Sequence, residues 1–457
     1  MPTPATNPRR EETPSNMDKT PRVLPTEPSS GRGRRHGTSS TEPFDRWFRY
    51  PAGFASDYAA TLLEHLSLSH RGIVVDPFAG SAVTGTAAQR LGLSFYGIET
   101  HPLIAELGQL KLQEPPAAGA SLTIACERLI EAGNKILSTK DTPDLDRETS
   151  LVQQCFAKDT LIQLVTLRDL IRAGEAGVWT SYLKWALLAT LRDVASARVG
   201  WPYQRPANQR QPQYKDVVNR LRQRAQMMAE DLDRFYEYQA PSRTDNRYTS
   251  QLVCGDARIS ESWAKLPTTG AHGCVSSPPY LNNFDYADAT RLELYFWGDA
   301  TNWSEMCGHV RSGMITATTQ QSSVGAAAAA TQQLRAFGST AEKIEILTGQ
   351  LREERLARTR GKEYDRVVPA YFAAIAQVLR NLANALSSRA PAVLLIGDSA
   401  PYGVYIDTPT LIAELAQQCG LDREKDIVLR RRGLRWASNS QRHDVQLSER
   451  LVLLRRQ

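Results

Sequence analysis

Ser277-Pro278-Pro279-Tyr280 gathers a hydroxyl, stiff backbone carbonyls and an aromatic ring into four consecutive residues. Neither proline can donate to a sheet ladder, so the apolar run Gly273 to Val275 before them reads as a buried strand that must stop there. The rigid turn points the Ser277 hydroxyl, the nearby carbonyls and the Tyr280 ring into one small space. Oxygens there can accept hydrogens from an exocyclic amino group while the ring stacks on the heterocycle that carries it. Taken alone, the tetrapeptide reads first as a strand-ending turn.

A second candidate set lies far upstream. Val74-Val75-Asp76-Pro77-Phe78-Ala79-Gly80-Ser81 is an apolar strand running into a tight turn of small residues, followed by the Ala-rich stretch Ala82 to Leu91. This is the first strand–turn–helix unit of a doubly wound sheet, with a ligand over the carboxyl end of the strand. Amides at the helix start can hold a carboxylate. Ser94-Phe95-Tyr96-Gly97-Ile98-Glu99 reads as a second strand ending in an acid, a placement that suits a ribose diol. A generic nucleotide-binding fold would account for these two pieces by themselves.

Together the motifs resemble the S-adenosylmethionine-dependent DNA amino-methyltransferases, which methylate N4 of cytosine or N6 of adenine. Asp76-Pro77-Phe78-Ala79-Gly80-Ser81 is similar to that family's cofactor motif, and Ser277-Pro278-Pro279-Tyr280 to its catalytic motif. Phe48-Arg49-Tyr50-Pro51-Ala52-Gly53-Phe54 resembles the segment packed against the cofactor, which implies a cofactor contact for Phe54. Glu99 stands where the family binds the ribose hydroxyls. Leu252-Val253-Cys254-Gly255-Asp256-Ala257 resembles the strand whose terminal acid, here Asp256, lies near the cofactor adenine. The resemblance covers most of residues 44–300 and 365–457. Two departures stand out: Ala82-Val83-Thr84 replaces the usual Gly-Thr-Thr, putting a methyl group where the backbone nears the cofactor, and Gly53 stands where the family often has Lys.

The implied fold is α/β: a Rossmann-like doubly wound methyltransferase sheet with a large helical insertion between its second and third strands. Residues 1–43, rich in Pro, Ser, Thr and Arg, are expected to form a disordered tail. Residues 44–114 and 246–457 would form the S-adenosylmethionine-dependent domain. Residues 115–245 would form the insertion, with helical periodicity at Leu161, Leu164, Val165 and Leu167 and again at Trp185, Leu188 and Leu191. Strands are expected at 73–76, 94–99, 251–254, 273–275, 392–396 and 447–454. The 392–396 strand lacks a Gly-rich turn, which argues against a permuted chain. Residues 299–365, with Thr, Gln and Ala concentrated between Gly313 and Ala330, are expected to be a mobile insertion near the active site.

The chain has 457 residues, 41% hydrophobic and 23% charged, enough to bury a large core. Its six cysteines (126, 155, 254, 274, 307 and 419) contain no CxxC pair, which argues against a zinc site and a disulfide framework. Cys254 and Cys274 fall on expected strands and read as small core hydrophobes. No apolar stretch approaches the roughly twenty residues needed to span a bilayer, and the N-terminus has no apolar signal core, so a cytoplasmic location is expected. A net charge of +6 permits a nucleic-acid partner without requiring one.

Local charge is more telling. Between Ala195 and Ala225 seven basic residues, Arg205 and Arg210 among them, face the single acid Asp216, interleaved with Trp201, Tyr203 and Tyr214. This reads either as a phosphate- and base-contacting surface within a DNA-recognition insertion or as a solvated helix face. Arg430-Arg431-Arg432, with Arg435 and Arg442, either flanks the substrate cleft or protects a strand edge. Asn283, Asp285 and Tyr286, after the catalytic turn, are candidates to line a base pocket and are equally ordinary turn and cap residues.

The resemblance implies that Ser277 and the Pro278 carbonyl accept from the amino group of a flipped base, with Pro279 stiffening the turn and Tyr280 stacking on the base. Serine at the first motif position leans toward cytosine N4, since Asp or Asn there is more usual for adenine N6. No cysteine nucleophile follows the strand, which argues against cytosine C5 chemistry. The expected partner is double-stranded DNA; an added restriction or phage-defence partner is left open. Rival readings are an adenine-N6 enzyme, an RNA base methyltransferase, a small-molecule or protein N-methyltransferase, and an inactive DNA-binding protein.

Overall fold

The computed structural model describes residues 41–50, 54–69, 71–139, 142–196, 211–239, 249–282, 285–319, 323–432 and 445–457. The tail expected over 1–43 lies outside them except for its last three residues. Arg205, Arg210, Trp201, Tyr203, Asn283, Arg435 and Arg442 also lie outside the described residues.

Seven strands form one sheet: β1 (Ile73–Asp76), β2 (Ser94–Glu99), β3 (Ser250–Cys254), β4 (Gly273–Ser276), β5 (Pro391–Gly397), β6 (Leu421–Arg432) and β7 (Leu447–Arg456). Their order is β3-β2-β1-β4-β5-β7-β6. β1 to β5 are parallel, and β7 runs antiparallel to both β5 and β6. The sheet is Rossmann-like and doubly wound, as expected. Strand order reverses between β1 and β4, so the turns after these two neighbours open on the crevice where ligands of open α/β sheets bind.

Both faces of the sheet are covered, which is why its strands read as unbroken apolar runs. Alternate residues serve opposite faces. Val74, Phe95 and Leu395 pack with Phe54, Tyr58 and Leu62 on one side. Val75, Tyr96 and Leu394 pack with Tyr371, Phe372 and Leu379 on the other. β6 escaped the sequence reading because its Asp422-Arg423-Glu424-Lys425-Asp426 run has no apolar alternation. It is the last strand of the sheet, and the Arg430-Arg431-Arg432 cluster ends it, so the cluster belongs to a charged edge. Cys274 is buried as expected, whereas Cys254, at the end of the opposite edge strand, is exposed.

The segment 299–365 differs from the expected mobile loop. Its described residues carry the helices Trp303–His309, Val324–Leu334 and Gly338–Leu356. Alanine is the strongest helix former, so the Ala326–Ala330 run propagates a helix once Ser323 caps it through the Ala326 N–H. Leu334, Phe337 and Ile344 then pack with Tyr371 and Phe372 against the sheet.

Between β2 and β3, the crossover helix Pro102–Leu112 is followed by helices that include Gly119–Ser138, Lys158–Arg172, Thr180–Val194 and Val217–Gln239. They build a third core around Trp185, Tyr182, Leu164 and Leu221, which also takes in Phe44, Trp47 and Phe48. Asp231, fully buried, fastens that N-terminal segment: it accepts from the Phe44 N–H (2.9 Å) and Trp47 Nε1 (3.0 Å) and pairs with Arg46. Asp231→Ala would strand two buried donors and an arginine charge, and should cost about 3 kcal/mol of unfolding free energy by urea titration. A loss below about 1 kcal/mol would mean that the segment is held by its aromatic rings alone.

Candidate active site

The turn after β1 is fixed from three sides. Asp76, 3% exposed, accepts at Oδ1 from the Phe78 N–H (3.0 Å) and the Ser276 hydroxyl (2.6 Å), and at Oδ2 from the Thr84 hydroxyl (2.7 Å). Ser276 ends β4, immediately before Ser277. One carboxylate therefore joins the turn after β1, the helix Val83–Arg90 and the start of the Ser277-Pro278-Pro279-Tyr280 turn. The Ala79 N–H donates to the Ile98 carbonyl (3.0 Å), and the Gly80 N–H to Glu99 Oε2 (2.9 Å). Glu99 Oε1 accepts from the His101 N–H (2.8 Å). Buried Lys111 donates to the Ser81 hydroxyl (3.2 Å) from the helix behind.

Ala82, the departure from Gly-Thr-Thr, is left-handed at φ 61°. Glycine takes that conformation without strain, and an alanine there costs roughly 1 kcal/mol. Its methyl group does not enter the crevice. It faces Gly108 of the helix Pro102–Leu112, where an added Cβ would come within 3.2 Å of it. The extra methyl is thus matched by a missing one across the packing.

The crevice holds about 890 Å³ of space and is continuous with solvent. Of the residues singled out in the sequence, Phe54, Asp76, Pro77, Phe78, Ala79, Gly80, Ser81, Glu99, Asp256, Ser277, Pro279 and Tyr286 line it. The two motifs thus share one space. Pro278, Tyr280 and Asp285 are not part of the lining. Tyr280 is nearly buried beside the crevice, its hydroxyl donating to Glu449 (2.6 Å), while the Pro279 carbonyl accepts from Tyr371 Oη (2.8 Å). The Ser277 hydroxyl makes a long bond to the Leu395 carbonyl (3.4 Å). Asp285 is buried, ion-paired with Arg311, and accepts from the Asp288 N–H (3.2 Å), so its oxygens are committed to holding the chain.

Further lining comes from Tyr50, Thr100 and the strap Gly313-Met314-Ile315. The strap lies so close to β2 that a Cβ on Gly313 would sit 2.5 Å from the Thr100 hydroxyl. Arg258 clamps Asp256 through two nitrogens and donates from Nη2 to the Gly313 carbonyl (3.2 Å). No periodicity marks this strap, and only its glycine hinted at a close approach. Tyr50 stands at 6.2 Å, ring to ring, from both His101 and Tyr286. In the basic-aromatic segment three of the described basic side chains are engaged within the protein, Arg222 with Glu127, Arg224 with Asp193 and Lys215 with the Ala195 carbonyl, while Tyr214 is exposed.

Burial raises the Asp76 carboxyl to about 6, against the pull of its hydrogen bonds from Ser276, Thr84 and Phe78. Burial likewise raises Glu99 to about 7, with the nearby Asp76 charge adding to the rise. Desolvation brings Lys111 down to about 8 and His101 to about 3.

A family model described as DNA methylase, of N6 and N4 methyltransferases, matches residues 9–110. The Type II methyltransferase M.BsoBI of Geobacillus stearothermophilus is 22% identical over 286 residues, which is 57% of this chain and 54% of that protein. The chain thus spans about half the length of this curated relative. Among solved structures, the rRNA methyltransferase aviRa from Streptomyces viridochromogenes aligns over 89% of this chain and 86% of its own, at 11% identity and a TM-score of 0.29, too distant to carry an argument.

Because folding raises both carboxyl values, the neutral forms stabilise the protein at low pH, and that stability is lost as pH rises through about 6 to 7. Glu99→Gln should therefore shift Tm relative to the native protein more favourably at pH 8 than at pH 5, by about 2–4 °C. Thermal melts at the two pH values read this. Equal shifts at both would show that burial of the Glu99 charge is not the cause.

Proposed function

We propose that this protein is an S-adenosylmethionine-dependent DNA amino-methyltransferase acting on N4 of cytosine. The observation that carries the reading is the bridge from Asp76 to Ser276, which brings the turn after β1 and the Ser277-Pro278-Pro279-Tyr280 turn to the two sides of one crevice. The DNA methylase match over residues 9–110 and the likeness to a Type II methyltransferase support the same class.

The crevice suits the donor. Glu99, at the end of β2, accepts from the turn after β1, and Phe54, Phe78 and Ile315 supply apolar walls, a lining that suits a nucleoside bearing an amino-acid tail. In this reading the turn Asp76–Ser81 holds the amino-acid end, Glu99 the ribose hydroxyls and Asp256 the adenine side, with Arg258 fixing its carboxylate. S-adenosylmethionine, when bound, supplies a methyl group on a positively charged sulfur. The protein's part is placement, which accounts for much of the rate in a two-reactant transfer. A base leaves the duplex at a cost of a few kcal/mol and stacks against Tyr280. The Ser277 hydroxyl and the Pro278 carbonyl accept hydrogen bonds from its amino group, which turns the nitrogen lone pair toward the methyl. Tyr286, tilted against Tyr50, borders the base side of the crevice. The choice of cytosine rests on Ser277, where the resembling adenine enzymes more usually carry Asp or Asn.

Single-molecule sequencing of plasmid DNA from a methylation-free host tests this. The native chain should leave N4-methylcytosine at one short motif, and Ser277→Ala/Tyr280→Ala should leave none. N6-methyladenine would overturn the base assignment and keep the class. If neither mark appears and calorimetry shows S-adenosylmethionine binding, the substrate is not DNA; without binding, the chain is not a methyltransferase.

A further inference from the structure

The hydroxyl of Tyr280 has no role in stacking, yet its bond is shorter than those of the Pro279 carbonyl to Tyr371 and of the Ser277 hydroxyl to Leu395. It donates to Glu449 Oε1 at 2.6 Å, and Glu449 is 3% exposed. Both oxygens of that carboxylate also accept from Arg430: Oε1 from Nη2 at 3.2 Å and Oε2 from Nε. Glu449 lies on β7, in register with Gly397 of β5 on one side and Arg430 of β6 on the other. The β6–β7 register shifts between Val428 and Arg430, as a bulge does, and a bulge re-aims the side chain beside it. Arg430, beside this shift, is half-buried against Glu449.

We propose that Glu449 is a positioning residue for the transfer described above, fixing through the Tyr280 hydroxyl the ring plane on which the target base stacks. The proposal rests on that functional reading. A tyrosine ring turns about two side-chain bonds, and its stacking face is defined only if something fixes them. The turn is clamped at two consecutive residues, at the Pro279 carbonyl by Tyr371 and at the Tyr280 hydroxyl by Glu449. With the ring plane set, the plane of the base is set, and so is the direction of its amino group relative to Ser277. A side chain kept only to pair the edge arginine would have no need of the phenol. The antiparallel hairpin β6–β7, far from the crevice in sequence, thus takes part in presenting the base.

The test uses Tyr280→Phe, Glu449→Ala, the double variant and Glu449→Gln, with single-turnover methyl transfer, S-adenosylmethionine affinity by calorimetry and flipping of 2-aminopurine at the target position as readouts. Each single variant should slow transfer by on the order of tenfold, the worth of a hydrogen bond to a charged group. Cofactor affinity should stay within about twofold, the double variant should be no slower than the slower single, and Glu449→Gln, which keeps an acceptor oxygen, should recover part of the rate. Losses that multiply in the double variant, or an equal fall in cofactor affinity, would overturn the proposal and leave Glu449 as a packing residue of the edge. If Glu449→Ala does not fold, Tyr280→Phe decides, since it leaves the Glu449–Arg430 pair intact, and a native rate there overturns the proposal. A native protein that methylates no DNA at all refutes the functional reading itself, whereas an active native protein with independent variants refutes only the role of Glu449.

Discussion

The Asp76 carboxylate is the interaction on which the site depends. It lies at the end of β1, where a doubly wound sheet changes direction, and its oxygens tie three separate pieces of chain together. Sheet register alone places β1 beside β4, with Val75 opposite Cys274. It does not fix the two turns beyond the strand ends, where the ladder has stopped and the backbone must find other partners. Asp76 supplies them by accepting from Phe78 in its own turn, from Thr84 in the following helix and from Ser276 at the mouth of the other turn. An uncharged residue of similar size could make part of this set, but two oxygens with four lone pairs make all of it.

This fastening has an electrostatic cost that shapes the rest of the crevice. The Asp76 charge sits near enough to Glu99 to raise its proton affinity, in a region that burial already makes unfavourable to charge at both residues. The crevice therefore carries excess negative potential when both are ionised. Its neighbours are arranged to offset this: the Gly80 and His101 amides point at Glu99, and Lys111 stands behind Ser81 with its own charge disfavoured by burial. Asp256 is treated differently, receiving a full guanidinium from Arg258. A sulfonium or any other cationic ligand would meet two acids whose charge is only partly compensated, which is the electrostatic counterpart of the proposed donor.

The sequence made the centre of the sheet legible and its periphery obscure, for physical reasons. β1, β2, β4 and β5 are covered on both faces, so burial forces runs such as Ile73-Val74-Val75 and Val393-Leu394-Leu395-Ile396 that no loop would carry. The turns were legible because proline and glycine leave few backbone choices. β6 was not, because an edge strand gains from charge, and its Arg430 could be placed only once its partner Glu449 was known across the hairpin. The strap Gly313–Ile315 owes its position to Arg258 and Thr100, contacts made across long stretches of chain and without periodicity. The Ala-rich segment misled for a further reason: low complexity suggested mobility, whereas alanine's helix propensity, a serine cap and a neighbouring helix surface gave order. Ala82 carried a correct signal with the wrong direction, since its methyl is accommodated by Gly108 rather than set against the ligand.

The helices between β2 and β3 are not isolated from the crevice either. Asp231 on the helix Val217–Gln239 holds Phe44, Arg46 and Trp47, and Arg192 on the helix Thr180–Val194 covers the Phe48 ring at 3.9 Å and donates to the Arg49 carbonyl. The next residue is Tyr50, which lines the crevice and meets both His101 and Tyr286. Arg192 also donates to the Ala289 carbonyl and pairs with fully buried Glu293, so it grips the segment after the Ser277–Tyr280 turn as well. One side chain of the insertion thus braces two walls of the crevice at once. A displacement of the helix Thr180–Val194 cannot leave Tyr50 and Tyr286 in place without breaking a buried charge pair, and such pairs break at a cost of several kcal/mol. The insertion and the crevice are in this sense one mechanical unit, and any nucleic acid held by the first would be felt at the walls of the second.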